Sequence, residues 1–373
     1  MAIKDRLTGL RRTNQASRES ALAAAAGWLA AAQNATPDDG AAAWYDLQRS
    51  AWKDSYPETT GYIIPTLFDY AAFSGREEFR DRALRMAHWE SDIQLGEGGV
   101  RAGTIDSQPV APTVFNTGQV LFGWARAWRE TGDERWRTSL VRACEWLVAA
   151  QDKDGHWRRF ASPFAAQQIN SYNTRSAFGL ARAGVLLERP DFVESALANV
   201  RAVLSRAKAN GWLDHNCLDD DSRPLTHTIA YSIRGILEVG VVAEDENAVT
   251  AASRMAEAVA LSQRSDGALP GRLDGDWRAA ARWSCLTGNS QMAINWLRLA
   301  EIHGDRRLVD NAERANRFNI SVQDRSSRHP GVRGGVKGSH PVDGGYMTYR
   351  YPNWAAKFFM DALMLEAGYP ADR

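Results

Sequence analysis

Residues 146–157 read Trp146-Leu147-Val148-Ala149-Ala150-Gln151-Asp152-Lys153-Asp154-Gly155-His156-Trp157. A helical apolar segment closes on a glutamine, a polar turn follows, and a glycine and an aromatic end the stretch. Glycine just past a helix end is the usual left-handed stop. The glutamine recurs. It ends Trp28-Leu29-Ala30-Ala31-Ala32-Gln33, Trp89-Glu90-Ser91-Asp92-Ile93-Gln94, Ala260-Leu261-Ser262-Gln263 and Ile320-Ser321-Val322-Gln323. The spacing is about 57 to 61 residues, with one empty slot near Lys208, where Ala209-Asn210-Gly211-Trp212 keeps the glycine and the aromatic. The glycines read as partners of the marker are Gly40, Gly98, Gly155, Gly211, Gly267 and Gly331. A fixed period of this size is the mark of stacked supersecondary units.

Six further helical patterns alternate with the glutamine-ended ones: 62–72, 119–128, 175–187, 229–239, 291–302 and 354–367. They are apolar on most faces, which places them inside. The glutamine-ended set is more amphipathic, as in the run from Arg137 to Leu147, which places it outside with one wet face. Short turns such as Gly132-Asp133 and Gly304-Asp305 lead from inner to outer helices, and longer loops lead back. The expectation is an all-α, single-domain (α/α)6 toroid over residues 1–373, its long loops gathered where the inner helices begin.

Composition is compatible with this. The chain has 373 residues, 44% of them hydrophobic, and its 45 basic and 45 acidic residues cancel. No basic stripe points to nucleic acid or an anionic membrane. Three cysteines, Cys144, Cys217 and Cys285, make no disulfide framework and fit a reducing compartment. The polar start, Met1-Ala2-Ile3-Lys4-Asp5-Arg6, does not read as a signal peptide, and no apolar run is long enough to span a bilayer. A cytoplasmic location is expected.

Trp146 to Trp157 resembles the QW motif of terpene cyclases, and Trp28 to Gln33 resembles part of it. The six-hairpin toroid is shared by terpenoid cyclases, prenyltransferase β subunits, polysaccharide lyases, uronyl epimerases and many glycosidases, so this resemblance implies architecture and not chemistry. Longer segments resemble a group of bacterial proteins tied to polysaccharide biosynthesis: Phe115-Asn116-Thr117-Gly118-Gln119, Pro224 to Tyr231, Ser284 to Asn289, and Gly344 to Tyr349 running into Tyr351 to Phe359. That resemblance implies a sugar-polymer setting, with a glycan or glycan precursor as ligand and other assembly proteins as partners.

Four groups of residues carry candidate chemistry. His227 and Tyr231 share a helical face at i, i+4, and with Tyr346 and Tyr349 they supply a base and acids for work on a sugar. Asn116, Gln119, Asn173, Arg175, Asn289, Gln291, Asn353, Trp354 and Lys357 stand at or near the starts of inner helices, where they read as substrate-binding groups around a funnel; Asn and Thr there also serve as caps. Asn173 and Arg175 are the expected holders of a uronic carboxylate. Trp44, Trp52, Trp283 and Trp354 offer stacking platforms. The second group is Cys217, Cys285 and His340, with His227 nearby in the pattern. Two thiolates and an imidazole leave one open position on Zn²⁺, as in catalytic zinc sites, although the local motifs of zinc-binding prenyltransferases and lanthionine cyclases are not reproduced. The third, Asp219-Asp220-Asp221, lacks the Asp-x-Asp-Asp order of a terpene-cyclase acid and reads as a solvated loop. The fourth, Gly331 to Pro341, has neither a preceding strand nor the P-loop order, and reads as a flexible lid with a counterpart in Gly96 to Gly103.

The function that follows is a carbohydrate-active lyase, epimerase or hydrolase on a glycan containing uronic acid or amino sugar. The alternatives are a zinc-dependent toroid enzyme, a terpene-cyclase-like protein, and a non-catalytic glycan-binding scaffold.

Overall fold

The computed structural model describes residues 15–163 and 168–369; the polar amino-terminal hexapeptide lies outside them. The described chain forms twelve α-helices. The outer ones are α1 (Gln15–Asn34), α3 (Glu78–Asp92), α5 (Glu134–Ala150), α7 (Pro190–Leu204), α9 (Glu246–Leu261) and α11 (Arg306–Val322). The inner ones are α2 (Pro57–Ser74), α4 (Val114–Thr131), α6 (Thr174–Leu186), α8 (Thr226–Val242), α10 (Leu286–His303) and α12 (Asn353–Glu366). Each inner helix packs on the next, and α12 packs on α2, so the inner ring closes. The expected toroid is what forms, with its long loops at the inner-helix amino-terminal end.

The periodic glutamine is a staple between outer helices. Gln151 Nε2 donates to the Gly155 carbonyl at 3.0 Å and to the Ser195 carbonyl of α7 at 2.9 Å. Gln94 does the same toward Gly98 and Ser139, and Gln263 toward Gly267 and Asn311. Gln323 donates to Gly334 and to Ala21 of α1, which joins the last outer helix to the first. In the slot with no glutamine, Lys208 pairs with Asp214 at 2.9 Å. The marker glycine has φ near +86° at Gly155, and a Cβ there would lie 2.4 Å from the Ala198 carbonyl oxygen. The marker of the sixth unit is Gly334 and not Gly331: Gly334 has the positive φ and receives the glutamine. Removing Gln151 breaks both of its bonds to carbonyls and the bond it accepts from the Ser195 hydroxyl at 2.6 Å, while Asn199 still holds the Gly155 carbonyl, so Gln151→Ala is expected to cost about 2 kcal/mol. Urea unfolding checks this, and an unchanged midpoint would show that the staple is idle.

Two small sheets tie the mouth together. β1 (Trp44–Asp46) lies between β2 (Ala51–Trp52) and β5 (Arg350–Pro352), with Tyr45 opposite Trp52 on one side and Tyr351 on the other. This pairing fastens the first long loop to the last. β3 (Ser284–Cys285) pairs with β4 (Ser339–His340).

The glycine-rich stretch 331–338 is not a lid. Its glycines let the backbone press on large side chains: a Cβ on Gly331 would meet the Tyr45 ring at 2.3 Å, and one on Gly335 would meet Trp28 Nε1 at 2.6 Å. Val332 and Val336 are buried beside them. The counterpart stretch does reach the mouth, where Gly103 lines the cavity described next.

Candidate active site

A cavity of about 410 Å³ opens among the long loops, within the size range of small-ligand sites. Eight aromatic side chains stand in its walls: Trp44, Tyr56, Tyr62, Phe115, Tyr172, Tyr231, Tyr346 and Trp354. The rings brace one another edge-on. Phe115 stands 5.1 Å from Tyr172 and 5.3 Å from Tyr231, and Trp354 stands 6.2 Å from Tyr56. Trp354 also donates from Nε1 to the Tyr346 hydroxyl at 2.8 Å. The floor is Tyr62 and Tyr231, both against Phe358 of α12.

Burial raises the proton affinity of the lining tyrosines, and it displaces two further groups, Glu58 and His227, toward values that matter for proton transfer. Glu58, in the first turn of α2, is pushed up to about 7 by burial, against the pull of the Tyr56 hydroxyl, which donates to Oε2 at 2.8 Å. The dipole of α2 also favours the carboxylate, yet desolvation wins because the walls offer the charge little else. His227, in the first turn of α8, is pushed down to about 4 by burial, opposed by its contact with Gln291. Near neutral pH the cavity therefore holds a substantially protonated carboxyl and a neutral imidazole. Gln291 Oε1 lies 2.8 Å from His227 Nδ1. A carbonyl oxygen can only accept, so Nδ1 carries the hydrogen and the Nε2 lone pair is left for chemistry. The His227 ring is set between Tyr231 and Tyr346, at 4.6 and 5.4 Å.

Of the residues anticipated from the sequence, the cavity gathers His227, Tyr231, Tyr346, Asn116 and Trp354. Tyr349 is not in its lining. It sits at φ 56° in the turn before β5, held through its backbone by Leu47 and Val342. Asn289 and Asn353 are fully buried and fasten loops instead. Asn289 Oδ1 accepts from the Leu269 amide, and Asn353 donates to the Ala42 carbonyl and to Thr59. Asn173 is buried outside the lining, and Gln119 is buried in α4. Arg175 and Lys357 lie deeper, beneath the aromatic floor. Arg175 stands over Phe122 at 4.4 Å, and Lys357 pairs with Asp361 at 2.5 Å. Arg175 is thus not placed to hold a carboxylate in the mouth. Among the platforms, Trp44 and Trp354 face the cavity, whereas Trp52 packs on Trp28 and Tyr45.

Among the described residues no set of three His, Cys, Asp or Glu side chains is arranged to hold a metal ion. Each expected zinc ligand has another engagement. Cys217 donates to Asp219 at 3.1 Å, and Cys285 accepts the Gly288 amide as the amino-terminal cap of α10. Burial pushes the Cys285 thiol up to about 12, opposite to what a thiolate ligand needs. His340 lies beside Lys337 at 3.3 Å. The three aspartates are bound on the loop surface, Asp219 by Arg272 and Asp221 by His215.

The residue that sequence reading passed over is Glu58. A signal was present: of the six inner helices, only α2 has an acid in its first turn.

An unsaturated glucuronyl hydrolase from Bacillus sp. GL1 superposes with a TM-score of 0.75 at 17% identity, covering 94% of this chain and 97% of that one. An unsaturated glucuronyl hydrolase specific for heparin gives 0.77 at 16% identity, over 95% and 98%. A cellobiose 2-epimerase from Bacillus thermoamylovorans gives 0.72 at 10% identity, over 94% and 98%. The chain has the (α/α)6 toroid fold. At these identities the likeness is one of fold. No protein-family model matches the chain, and no curated protein matches it by sequence. No helix among the described residues is long and apolar enough to cross a membrane.

Proposed function

We propose that this protein is a carbohydrate-active enzyme that carries out acid–base chemistry of the hydrolase or epimerase kind on a sugar unit seated in the mouth of the toroid. The observation that carries this reading is a single sugar-sized aromatic cavity holding a carboxyl raised to about 7 and an imidazole lowered to about 4. Groups driven apart in this way take opposite proton-transfer roles. Glu58 delivers a proton to the substrate. His227 Nε2 takes one, from water in a hydrolysis or from a sugar carbon in an epimerisation. The aromatic walls stack on the apolar faces of the ring, and Asn116, held by its own hydrogen bond to the Arg101 carbonyl at 2.8 Å, presents its amide to hydroxyls. The fold neighbours, hydrolases of unsaturated glucuronyl units and an epimerase of cellobiose, support a glycan substrate, including one that carries uronic acid or amino sugar. The resemblance of the Phe115, Pro224 and Gly344 segments supports a role in polysaccharide metabolism.

The test is to incubate the protein with unsaturated glucuronyl disaccharides, neutral β-linked disaccharides and amino-sugar disaccharides, and to follow each by NMR. Conversion of one class with a bell-shaped pH profile, its limbs near 4 and 7, is the expected result. Conversion that survives intact in His227→Ala would return the protein to a scaffold role with a contaminating activity.

The acid limb makes a separate prediction. Gln291→Glu puts a carboxylate on His227 Nδ1–H, keeps the tautomer and favours the imidazolium. The acid limb should move upward by about 1–2 pH units, read from kcat/KM against pH. A limb that stays near 4 would mean that His227 is not the base.

A further inference from the structure

Among the described residues that line the mouth, Lys53 is the one cationic side chain, and its charge is already answered. Its Nζ meets Asp54 Oδ2 at 2.5 Å and Asp106 Oδ2 at 2.6 Å. Lys53 and the Thr104 hydroxyl hold the Asp106 carboxyl down to about 2, so it stays ionised near neutral pH. Arg101, outside the lining, acts on Asp106 as a second cation, and its Nη2 is tied to the Ser107 carbonyl at 2.5 Å. Lys53, Arg101, Asp54 and Asp106 thus carry two charges of each sign and leave no excess for a ligand. Deeper in the cavity, burial and one hydrogen bond each account for the displacement of Glu58 and of His227, and no cation contributes to either. Arg175 and Lys357 lie outside this lining. An anion brought into such a site gives up its water and gains no cation in return.

We propose that the sugar unit seated in the mouth is an uncharged pyranose, and that Asp54 and Asp106 exclude a uronate by taking up the charge of Lys53. This rests on the reading of the mouth as a sugar site and narrows it. A neutral hexose or an N-acylated amino sugar qualifies, and acidic units of the same glycan stay outside the cavity. The eight aromatic side chains of the wall stack on the C–H faces of a neutral ring, and Asn116 meets its hydroxyls without stranding a charge. Selectivity of this kind acts against the wrong ligand more than for the right one. The likeness to unsaturated glucuronyl hydrolases is thus one of fold and not of the unit bound.

The experiment reads binding and needs no turnover. The full chain is titrated with three matched pairs of methyl β-glycosides: glucoside and glucuronide, galactoside and galacturonide, mannoside and mannuronide. Tryptophan fluorescence, to which Trp44 and Trp354 of the wall contribute, follows the binding. At pH 5.5 Glu58 is mostly protonated and His227 neutral, while a uronate is ionised, so Glu58 does not itself repel the acid. At least one neutral glycoside is expected to bind, with the uronate of its pair about 10- to 100-fold weaker, the scale of a charge left unpaired. A uronate that binds as tightly as its neutral partner would overturn the proposal and leave the sugar site standing. If none of the six binds, the sugar reading and the proposal fall together. Asp106→Asn removes one of the two acids on Lys53. It should tighten uronate binding about tenfold and leave the neutral sugar unchanged. Uronate affinity that does not move would overturn the role given to Lys53 and its acids.

Discussion

Glu58→Gln is expected to lower kcat by roughly 10² to 10⁴-fold, the usual contribution of a positioned general acid, with KM for the same sugar little changed. The glutamine keeps the size of the side chain and its contact with the Tyr56 hydroxyl but has no proton to give. The alkaline limb near 7 should vanish from what activity remains, while the acid limb near 4, which belongs to His227, persists. A second readout does not depend on turnover. Glu58 has a folded-state value of about 7 against an ordinary 4.5. Its contribution to stability is therefore full below pH 4.5 and is lost as the pH rises through 7. Between those values the folded state holds a proton that the unfolded state has released. The carboxyl reaches the cavity, so solvent moderates the effect to about 2 kcal/mol. Glu58→Gln should thus be the more stable protein at pH 8 and lose its advantage by pH 4.5. If kcat falls but stability does not cross over, Glu58 acts in catalysis without its raised proton affinity.

Gly235→Ala is expected to destabilise the fold by about 3 kcal/mol, the upper end of the usual cost of forcing extra volume into a packed core. Gly235 lies where α8 crosses α6. A Cβ there would stand 2.2 Å from the Thr174 carbonyl carbon and 2.6 Å from the Arg175 amide nitrogen. Both neighbours are backbone, so no side chain can swing aside, and the two helices must part. One of those helices carries His227 and Tyr231, so the mouth is disturbed as well. The control is Gly27→Ala in α1. Nothing lies within 4 Å of its added Cβ, and alanine there should stabilise the helix by about 1 kcal/mol. The same substitution with opposite signs, read by urea unfolding, isolates close helix approach as the cause. A harmless Gly235→Ala would show that the inner ring has slack.

The amino-acid sequence alone determined the ring. A glutamine and a glycine at a fixed period, six buried helical patterns between them, and short turns on one end leave little choice of architecture, because each signal is local and repeated. Repetition also identified the end that carries the site, and from there His227, Tyr231, Tyr346, Asn116 and Trp354 were legible as cavity residues. The chain did not reveal which polar side chains at the inner-helix starts face inward. Asn116, Asn289 and Asn353 all stand near inner-helix starts, yet only Asn116 lines the cavity, because each long loop differs in length and course. Nor did it reveal that Gly331 and Gly335 serve packing on Tyr45 and Trp28, which come from the other end of the chain. Glu58 shows the division most clearly. Its place in the first turn of α2 is written in Pro57-Glu58-Thr59, but its proton affinity is raised by burial in a cavity whose tyrosines, Tyr56, Tyr62, Tyr172, Tyr231 and Tyr346, come from four separate stretches of chain. Desolvation is a property of what surrounds a group in space. Only closure of the ring brings those walls together, and so only the tertiary structure turns an ordinary carboxylate into a candidate acid.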